Sequence, residues 1–243
     1  MKKVIQYMLL CFVLILSNIG CKVDNYDEPN ASFGGIVIDK TTGKGISTEQ
    51  PRGFRIRWTE KSWGDNVQPD YFWAMPDGKF NWNWVFGYNG SEYEILPVDG
   101  AFVSPEPQTI SIKKGEHKDL TFEVIPYIHI DSEYQLNGRE LTVKFTATRP
   151  EGSFLQGGTP YAINQVWVLV SNKTKYISLQ NTGGYIREMS LRISPFNESR
   201  IGQEIEAKIE LSEPGTYYFR VAVQTSNPAN ACNFTDVETV EVQ

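Results

Sequence analysis

The stretch Gly53-Phe54-Arg55-Ile56-Arg57-Trp58 decides the fold class of this chain. Its apolar and charged residues alternate, and a period of two places one set of side chains on each face of a β-strand. Residues 141–147 repeat the pattern, with Leu, Val, Phe and Ala at alternate positions. No segment has a convincing helical period, so short strands separated by turn signals predict an all-β protein built as sandwiches.

The strand patterns fall into two groups. About seven lie between residues 33 and 125, where Met75-Pro76-Asp77-Gly78 separates two strand patterns and predicts a hairpin. The pattern restarts after Pro126-Tyr127, and a nearly continuous apolar run at 165–171 predicts a central strand around a buried Trp167. We therefore expect two β-sandwich domains, at residues 32–126 and 127–243.

The second domain resembles immunoglobulin and fibronectin-type sandwiches, because about seven strands follow an early tryptophan-bearing strand. The segment 213–220, Glu-Pro-Gly-Thr-Tyr-Tyr-Phe-Arg, resembles the start of strand F in such domains. That resemblance implies that Tyr217 or Tyr218 folds back and hydrogen-bonds to the preceding corner.

The N-terminus has the pattern of a bacterial lipoprotein signal peptide over residues 1–20. Lys2 and Lys3 precede an apolar run at 4–16, and a small residue, Gly20, stands before Cys21. The run is short for a membrane span, which needs about 20 residues. We expect Cys21 to be lipidated and residues 21–31 to form a polar spacer. The alternative is an ordinary secretory signal or an N-terminal anchor in which Cys21 is incidental.

Charge and cysteine content exclude some classes of partner. Loss of residues 1–20, which hold two lysines and no acid, moves the net charge from −6 to −8. An acidic chain has no electrostatic reason to bind nucleic acid, so no nucleic-acid partner is expected. Of three cysteines, only Cys232 remains once Cys11 is removed and Cys21 is lipidated, which leaves no disulfide framework.

Catalytic and metal-binding signals are weak. The two histidines, His117 and His129, stand in different patterns, and the chain lacks the local motifs of hydrolases, zinc proteases and phosphate-binding loops. The spacing of Asp65, Asn66 and Asp70 fits no calcium loop. We expect no enzyme activity, catalytic residue, metal or cofactor, although 29 acidic residues leave a chance carboxylate pair open.

The segment 58–88 has an unusual density of aromatic side chains. They are Trp58, Trp63, Tyr71, Phe72, Trp73, Phe80, Trp82, Trp84, Phe86 and Tyr88. Alternation along 80–88 predicts that the last five share one face of a strand. The simpler interpretation is that these rings form the core. The alternative is that some face water and stack on the apolar C–H faces of sugar rings.

Five residues are the candidates for such a glycan site. Trp63 is the first candidate because a tryptophan in a loop is not needed by a core, and Asp65 and Asn66 beside it could bind hydroxyl groups. Trp73 and Trp82, near the ends of the predicted hairpin, come next.

Residues 33–125 resemble carboxypeptidase-regulatory-like, transthyretin-like domains. Those domains open with G-x-V-x-D, T-G and a small apolar residue, which Gly35–Asp39, Thr42-Gly43 and Ile46 supply. Asp77-Gly78-Lys79-Phe80 matches their hairpin, and Lys113-Lys114-Gly115 with the strand that follows matches their close. The strand 91–95 keeps the usual tyrosine, Tyr93, and lacks the usual glycine.

The whole layout resembles a Bacteroidetes lipoprotein family of uncharacterised function, most specifically in the lead Asp24-Asn25-Tyr26-Asp27-Glu28-Pro29. Lys22 followed closely by Asp24 resembles the surface-export signal of Bacteroidetes lipoproteins, which implies a lipid anchor at the cell surface, on the outer leaflet of the outer membrane. The layout implies an accessory role beside SusC/SusD-like glycan uptake systems. A polysaccharide or oligosaccharide ligand is expected from the aromatic segment together with that role. The alternative is a structural, adhesin-like module that docks onto proteins and has no glycan site.

Overall fold

The computed structural model describes residues 28–49, 53–64, 66–88, 90–154, 158–180 and 183–243. Within these ranges the chain forms sixteen β-strands and two short 3-10 helices, which confirms the prediction of an all-β sandwich fold. The predicted signal peptide, Cys21, most of the spacer and Asp65 lie outside the described residues.

The first domain contains eight strands in two facing sheets. They are β1 (Ala31–Asp39), β2 (Arg55–Glu60), β3 (Asp70–Trp73), β4 (Lys79–Val85), β5 (Glu92–Val98), β6 (Phe102–Val103), β7 (Gln108–Ser111) and β8 (His117–Pro126). One sheet has the order β4-β1-β8-β6, and the other has the order β3-β2-β5-β7. Phe33, Phe80 and Phe122 of the first sheet pack against Ile56 and Ile95 of the second, so the core lies between the sheets.

The turn at Met75–Gly78 does not close the predicted hairpin. The turn itself forms, since Gly78 N–H donates to the Met75 carbonyl at 3.0 Å. However, β3 pairs with β2 and β4 pairs with β1, so the turn carries the chain from one sheet to the other. Gly78 has φ 81°, and a Cβ there would meet the Val37 carbonyl oxygen at 2.7 Å, which explains the glycine.

A β-bulge near the end of β4 changes which side chains face the core. Opposite β1, the partner of Ala31 is Val85 while the partner of Phe33 is Trp82, so β4 has one extra residue in this interval. Phe80 and Val85 are therefore buried, whereas Trp84 faces water with 69% of its surface exposed. The expectation that Phe80, Trp82, Trp84, Phe86 and Tyr88 share one face is wrong for this reason.

The second domain also contains eight strands. They are β9 (His129–Asn137), β10 (Glu140–Thr148), β11 (Ile163–Ser171), β12 (Leu191–Ile193), β13 (Glu204–Glu210), β14 (Gly215–Thr225), β15 (Cys232–Phe234) and β16 (Glu238–Val242). The sheet β13-β10-β9 faces the sheet β12-β11-β14-β15, in which β16 also pairs with β14. Their shared core is a separate cluster that runs from Ile128 to Val242.

The structure selects Tyr217 as the corner tyrosine of this domain and places Trp167 outside its central core. Tyr217 is the corner tyrosine, because its buried ring places Oη to donate to the Glu213 carbonyl at 3.0 Å and to accept from the Glu213 N–H at 3.2 Å. Trp167, expected in the core, instead lies on the outer face of β11 against Tyr185, with Nε1 donating to Gln165 at 3.0 Å. Val166 and Val168 take the inward positions on that strand.

The two domains meet across a seam that contains hydrogen-bonded polar groups. Asn233 Nδ2 donates to the Ala101 carbonyl at 2.9 Å, and its Oδ1 accepts from Ile128 N–H at 3.0 Å. Ser178 Oγ donates to the buried Glu49 carboxylate from across the seam. Burial raises the pKa of Glu49, a shift that the Ser178 bond and the nearby Arg220 oppose.

Candidate functional site

An aromatic row lies on the outer face of the sheet β3-β2-β5-β7. β3 is the edge strand, and its alternation turns Phe72 into the core while Tyr71 and Trp73 face outward, 43% and 47% exposed. The alternation continues past the strand, where Ala74 is buried and Met75 is exposed. The result is a line of apolar side chains on the molecular surface.

Arg55 positions polar groups against this row. It pairs with Trp73 in the β2–β3 register, and its guanidinium lies 4.4 Å from the Tyr71 ring centroid and 5.7 Å from that of Trp73. Arg55 Nε donates to Asp99 Oδ2 at 2.7 Å. Asp99 adopts φ 61°, a left-handed conformation that few non-glycine residues take and that often occurs at functional positions.

Arg57, the next outward-facing residue on β2, forms a second ion pair with Glu94 at 3.2 Å. Both arginines on this face are therefore paired with carboxylates. Each pair contributes little to stability, about 0–1 kcal/mol, because it is partly solvated. The pairing does, however, hold charged hydrogen-bonding groups in place without leaving a net charge beside the rings.

The second domain closes one side of the row. Trp73, Arg55 and Asp99 line a cavity of about 250 Å³ together with Gly53, Gln180, Ala229 and Ala231. Gln180 and the two alanines come from loops of the second domain, so the cavity lies on the seam. The arrangement offers one flat ring, an amide, a guanidinium and a carboxylate around a shallow opening.

A larger cavity adjoins the row at Met75. It has a volume of about 550 Å³, in the range of small-molecule pockets, and Met75 and Asp77 line it from the first domain. Lys175, Tyr176 and Asp236 line it from the second, and the Tyr176 ring is half-exposed. The aromatic row therefore leads from the open sheet face into a second opening on the seam.

The structure separates the five predicted glycan-binding residues. Trp73 lies in the row, whereas Trp82 packs against the core, with its ring stacked on Phe72 at 4.8 Å and its Nε1 buried. Trp63 ends the 3-10 helix Lys61–Trp63, at the opposite end of the β2–β3 pair from Trp73. The Trp63 side chain and Asp65 lie outside the described residues. Asn66 is exposed and lies near Trp63, away from Trp73.

Sequence reasoning missed Tyr71, Arg55, Asp99 and Gln180. The alternation of 53–58 already placed Arg55 on the outer face, and the same rule applied to 70–73 would have found Tyr71 beside Trp73. Asp99 and Gln180 have no such signal, because they arrive from other parts of the chain through tertiary packing.

A Ser-His-Asp set lies at the far end of the first domain. Ser32 Oγ is 2.7 Å from His117 Nδ1, and His117 Nε2 is 3.2 Å from Asp119 Oδ1. In a catalytic triad the aspartate is buried and holds the histidine in one tautomer and orientation, whereas the Asp119 side chain is 87% exposed. Among the described residues, no three His, Cys, Asp or Glu side chains converge to hold a metal ion.

None of the helices in the described ranges has the length and apolarity that crossing a bilayer requires.

Comparisons with known proteins give structural likeness only. No family model and no curated protein matches the chain. A DUF3823 family protein from Bacteroides uniformis superposes with a TM-score of 0.69 at 21% identity, covering 88% of this chain and 100% of that chain. One from Parabacteroides merdae gives 0.65 at 20% identity, covering 89% and 100%.

A third solved structure, from Bacteroides uniformis, is named as a candidate carbohydrate-binding protein. It superposes with a TM-score of 0.62 at 18% identity and covers 88% of this chain and 99% of that chain. At these identities the likeness establishes a shared all-β fold over nearly the whole length of the described chain.

Proposed function

We propose that this protein is a non-catalytic, surface-anchored lipoprotein that binds carbohydrate at the Tyr71–Trp73 row. In this proposal Cys21 carries the lipid anchor, the protein lies on the outer face of the outer membrane, and it serves as an accessory component of a SusC/SusD-like glycan uptake system. The acidic spacer after Cys21 supports the surface location.

The half-exposed Trp73 ring with polar groups around it carries the proposal. A sugar ring presents apolar C–H groups on its faces and hydroxyl groups at its rim, so it binds best where a flat aromatic surface is bordered by donors and acceptors. Arg55, Asp99 and Gln180 provide that border. A surface evolved only for protein docking would instead present a broad apolar patch depleted in charged groups at its centre.

The paired charges favour a neutral glycan. Arg55 is engaged with Asp99, and Arg57 with Glu94, so neither arginine offers an unbalanced positive charge to an acidic sugar. The structural neighbour named as a candidate carbohydrate-binding protein supports the same class of ligand.

Affinity electrophoresis of residues 22–243 through gels containing a panel of neutral and acidic polysaccharides tests the proposal. We expect retardation by a neutral polysaccharide. Trp73→Ala should weaken binding by about 1–2 kcal/mol, roughly 5–30-fold, which corresponds to the loss of one stacking contact. Because only about half of the ring is buried, the loss of stability should stay well below the ~3–5 kcal/mol that a fully buried tryptophan costs.

Trp84→Ala is the matched control, since Trp84 is also an exposed tryptophan on an edge strand but lies in the other sheet. It should bind the polysaccharide like the wild type. Equal losses in the two variants, or no retardation of the wild type by any polysaccharide, would overturn the proposal and favour a protein-docking module.

A further inference from the structure

Trp84 is the most exposed large apolar side chain among the described residues, at 69%. The bulge in β4 turns it outward, and Tyr88, 45% exposed, follows it in the next loop. Residues 86–88 make two fixing contacts: the buried Tyr93 donates its hydroxyl to the Phe86 carbonyl at 2.8 Å, and the Phe86 and Tyr88 rings stack 6.1 Å apart. Tyr88 is therefore joined to backbone that is bonded to a core residue, and Trp84 stands on strand β4.

The chain enters the first domain beside these rings. Asn30 N–H donates to the Val85 carbonyl at 2.9 Å, next to Trp84, and Asn30 Oδ1 accepts from Gly87 N–H at 2.9 Å, next to Tyr88. The Asn30 carbonyl accepts from Gly115 N–H at 2.8 Å. This last bond brings the exposed loop residues Lys113 and Lys114 to the same end of the domain.

This end is remote from the seam. β4 begins at the Met75–Gly78 turn, close to the second domain, and its seven residues carry the chain roughly 20 Å away to Val85. Trp73 and Trp84 therefore lie at opposite ends of the first domain, on different sheets.

We propose that Trp84, Tyr88 and the Lys113–Lys114 loop form a contact surface for the lipid bilayer that holds the Cys21 anchor. The proposal rests on the lipid anchor of the proposed function. The residues between Cys21 and Asn30 span at most about 30 Å even when fully extended, so the anchored domain stays near the bilayer. Tryptophan and tyrosine favour the membrane–water interface, and lysines favour phosphate headgroups.

The contact surface has a functional consequence. With Trp84 directed at the bilayer, β4 runs outward from it, and the Trp73 row and the seam lie at the far end of the first domain. The anchor and the contact surface together would present the glycan row to the medium in one orientation, because two points of attachment restrict rotation of the domain more than one.

Chemical anchoring tests the contact surface without relying on lipidation in cells. Residues 21–243 are coupled through the Cys21 thiol to a maleimide lipid in phosphatidylcholine–phosphatidylglycerol vesicles whose acyl chains are brominated near the headgroup. Burial raises the pKa of the Cys232 thiol, so maleimide reacts selectively at Cys21. Bromine quenches the fluorescence of tryptophans at the interface.

All three proteins carry Trp63→Phe, because Trp63 lies at the same end of the first domain as Trp84. In that background we expect the anchored protein to be quenched, Trp84→Phe to lose most of that quenching, and Trp73→Phe to keep it. Circular dichroism confirms that both variants fold. Quenching that survives Trp84→Phe, or an anchored Trp63→Phe protein with no quenching, would overturn the contact surface. Neither result would bear on glycan binding or on cellular lipidation, which are measured separately by electrophoresis and by fatty-acid labelling.

Discussion

Asn233 is the residue whose loss should disturb the seam most clearly. Only 6% of its surface is exposed, and its amide joins Ala101 of the first domain to Ile128 at the domain boundary through bonds of 2.9 and 3.0 Å. Both backbone partners belong to buried residues. Asn233→Ala therefore removes two hydrogen bonds. It leaves the Ile128 N–H without its partner, whereas the Ala101 carbonyl still accepts from Tyr127 N–H at 3.0 Å.

The expected destabilisation follows from the Ile128 N–H. Leaving a buried donor unsatisfied costs about 1–3 kcal/mol, so the variant should lower the free energy of unfolding by about that amount. The lower end applies if water enters the space left by the amide. Asn233 stands two residues after Ala231, which lines the cavity beside Trp73 together with Gln180. Loss of the Asn233 bonds should therefore lower glycan affinity together with stability.

Urea unfolding followed by circular dichroism measures the effect, with Asn164→Ala as the control. Asn164 is an exposed asparagine on β11, so its loss should change the free energy of unfolding by less than about 0.5 kcal/mol. An Asn233→Ala protein within 0.5 kcal/mol of the wild type, on the scale of ordinary surface substitutions, would refute the reasoning.

Three further predictions concern the anchor, the corner and the seam. Cys21→Ala should release the protein from membranes and abolish fatty-acid labelling. Lipidation would be contradicted if the variant stayed in the membrane fraction as fully as the wild type and the wild type carried no label. Tyr217→Phe should lower the free energy of unfolding by about 1–2 kcal/mol in urea, because the Glu213 backbone loses both bonds to the hydroxyl. Burial raises the pKa of Glu49 in the native state, so the native state binds that proton more tightly than the unfolded chain does. The free energy of unfolding should therefore fall as pH rises from the ordinary pKa of 4.5 through the raised pKa. Glu49→Gln should remove this part of the pH dependence, as measured by urea titrations at several pH values.

The strands were predictable because their signal is local. Alternation along 53–58 and 141–147 correctly gave the inward residues of β2 and β10, since successive side chains on any strand must point to opposite faces. The sequence at the start of β14 limited the corner tyrosine to Tyr217 or Tyr218, and tertiary packing selected Tyr217. Trp73 was among the candidates because it stands near the end of the predicted hairpin, a position that the sequence alone indicates.

Tertiary structure alone decided which strands pair and which aromatic rings face water. The extra residue in β4 is visible only against β1, and it moved Trp84 from the expected core face to the surface. The Met75–Gly78 turn has a hairpin sequence, yet the flanking strands gained more by joining separate sheets around one core. Trp167 was placed on the outer face of its sheet because the valines beside it fill the interior.

The sequence by itself determined an all-β chain with an exposed tryptophan candidate, because propensity and alternation act over a few residues. The site around Trp73 was decided only by folding. Asp99 reaches Arg55 through the β2–β5 pairing, and Gln180 reaches the same cavity from another domain. Contacts between residues so far apart in the chain depend on how both cores pack and how the seam closes, and no local pattern encodes them.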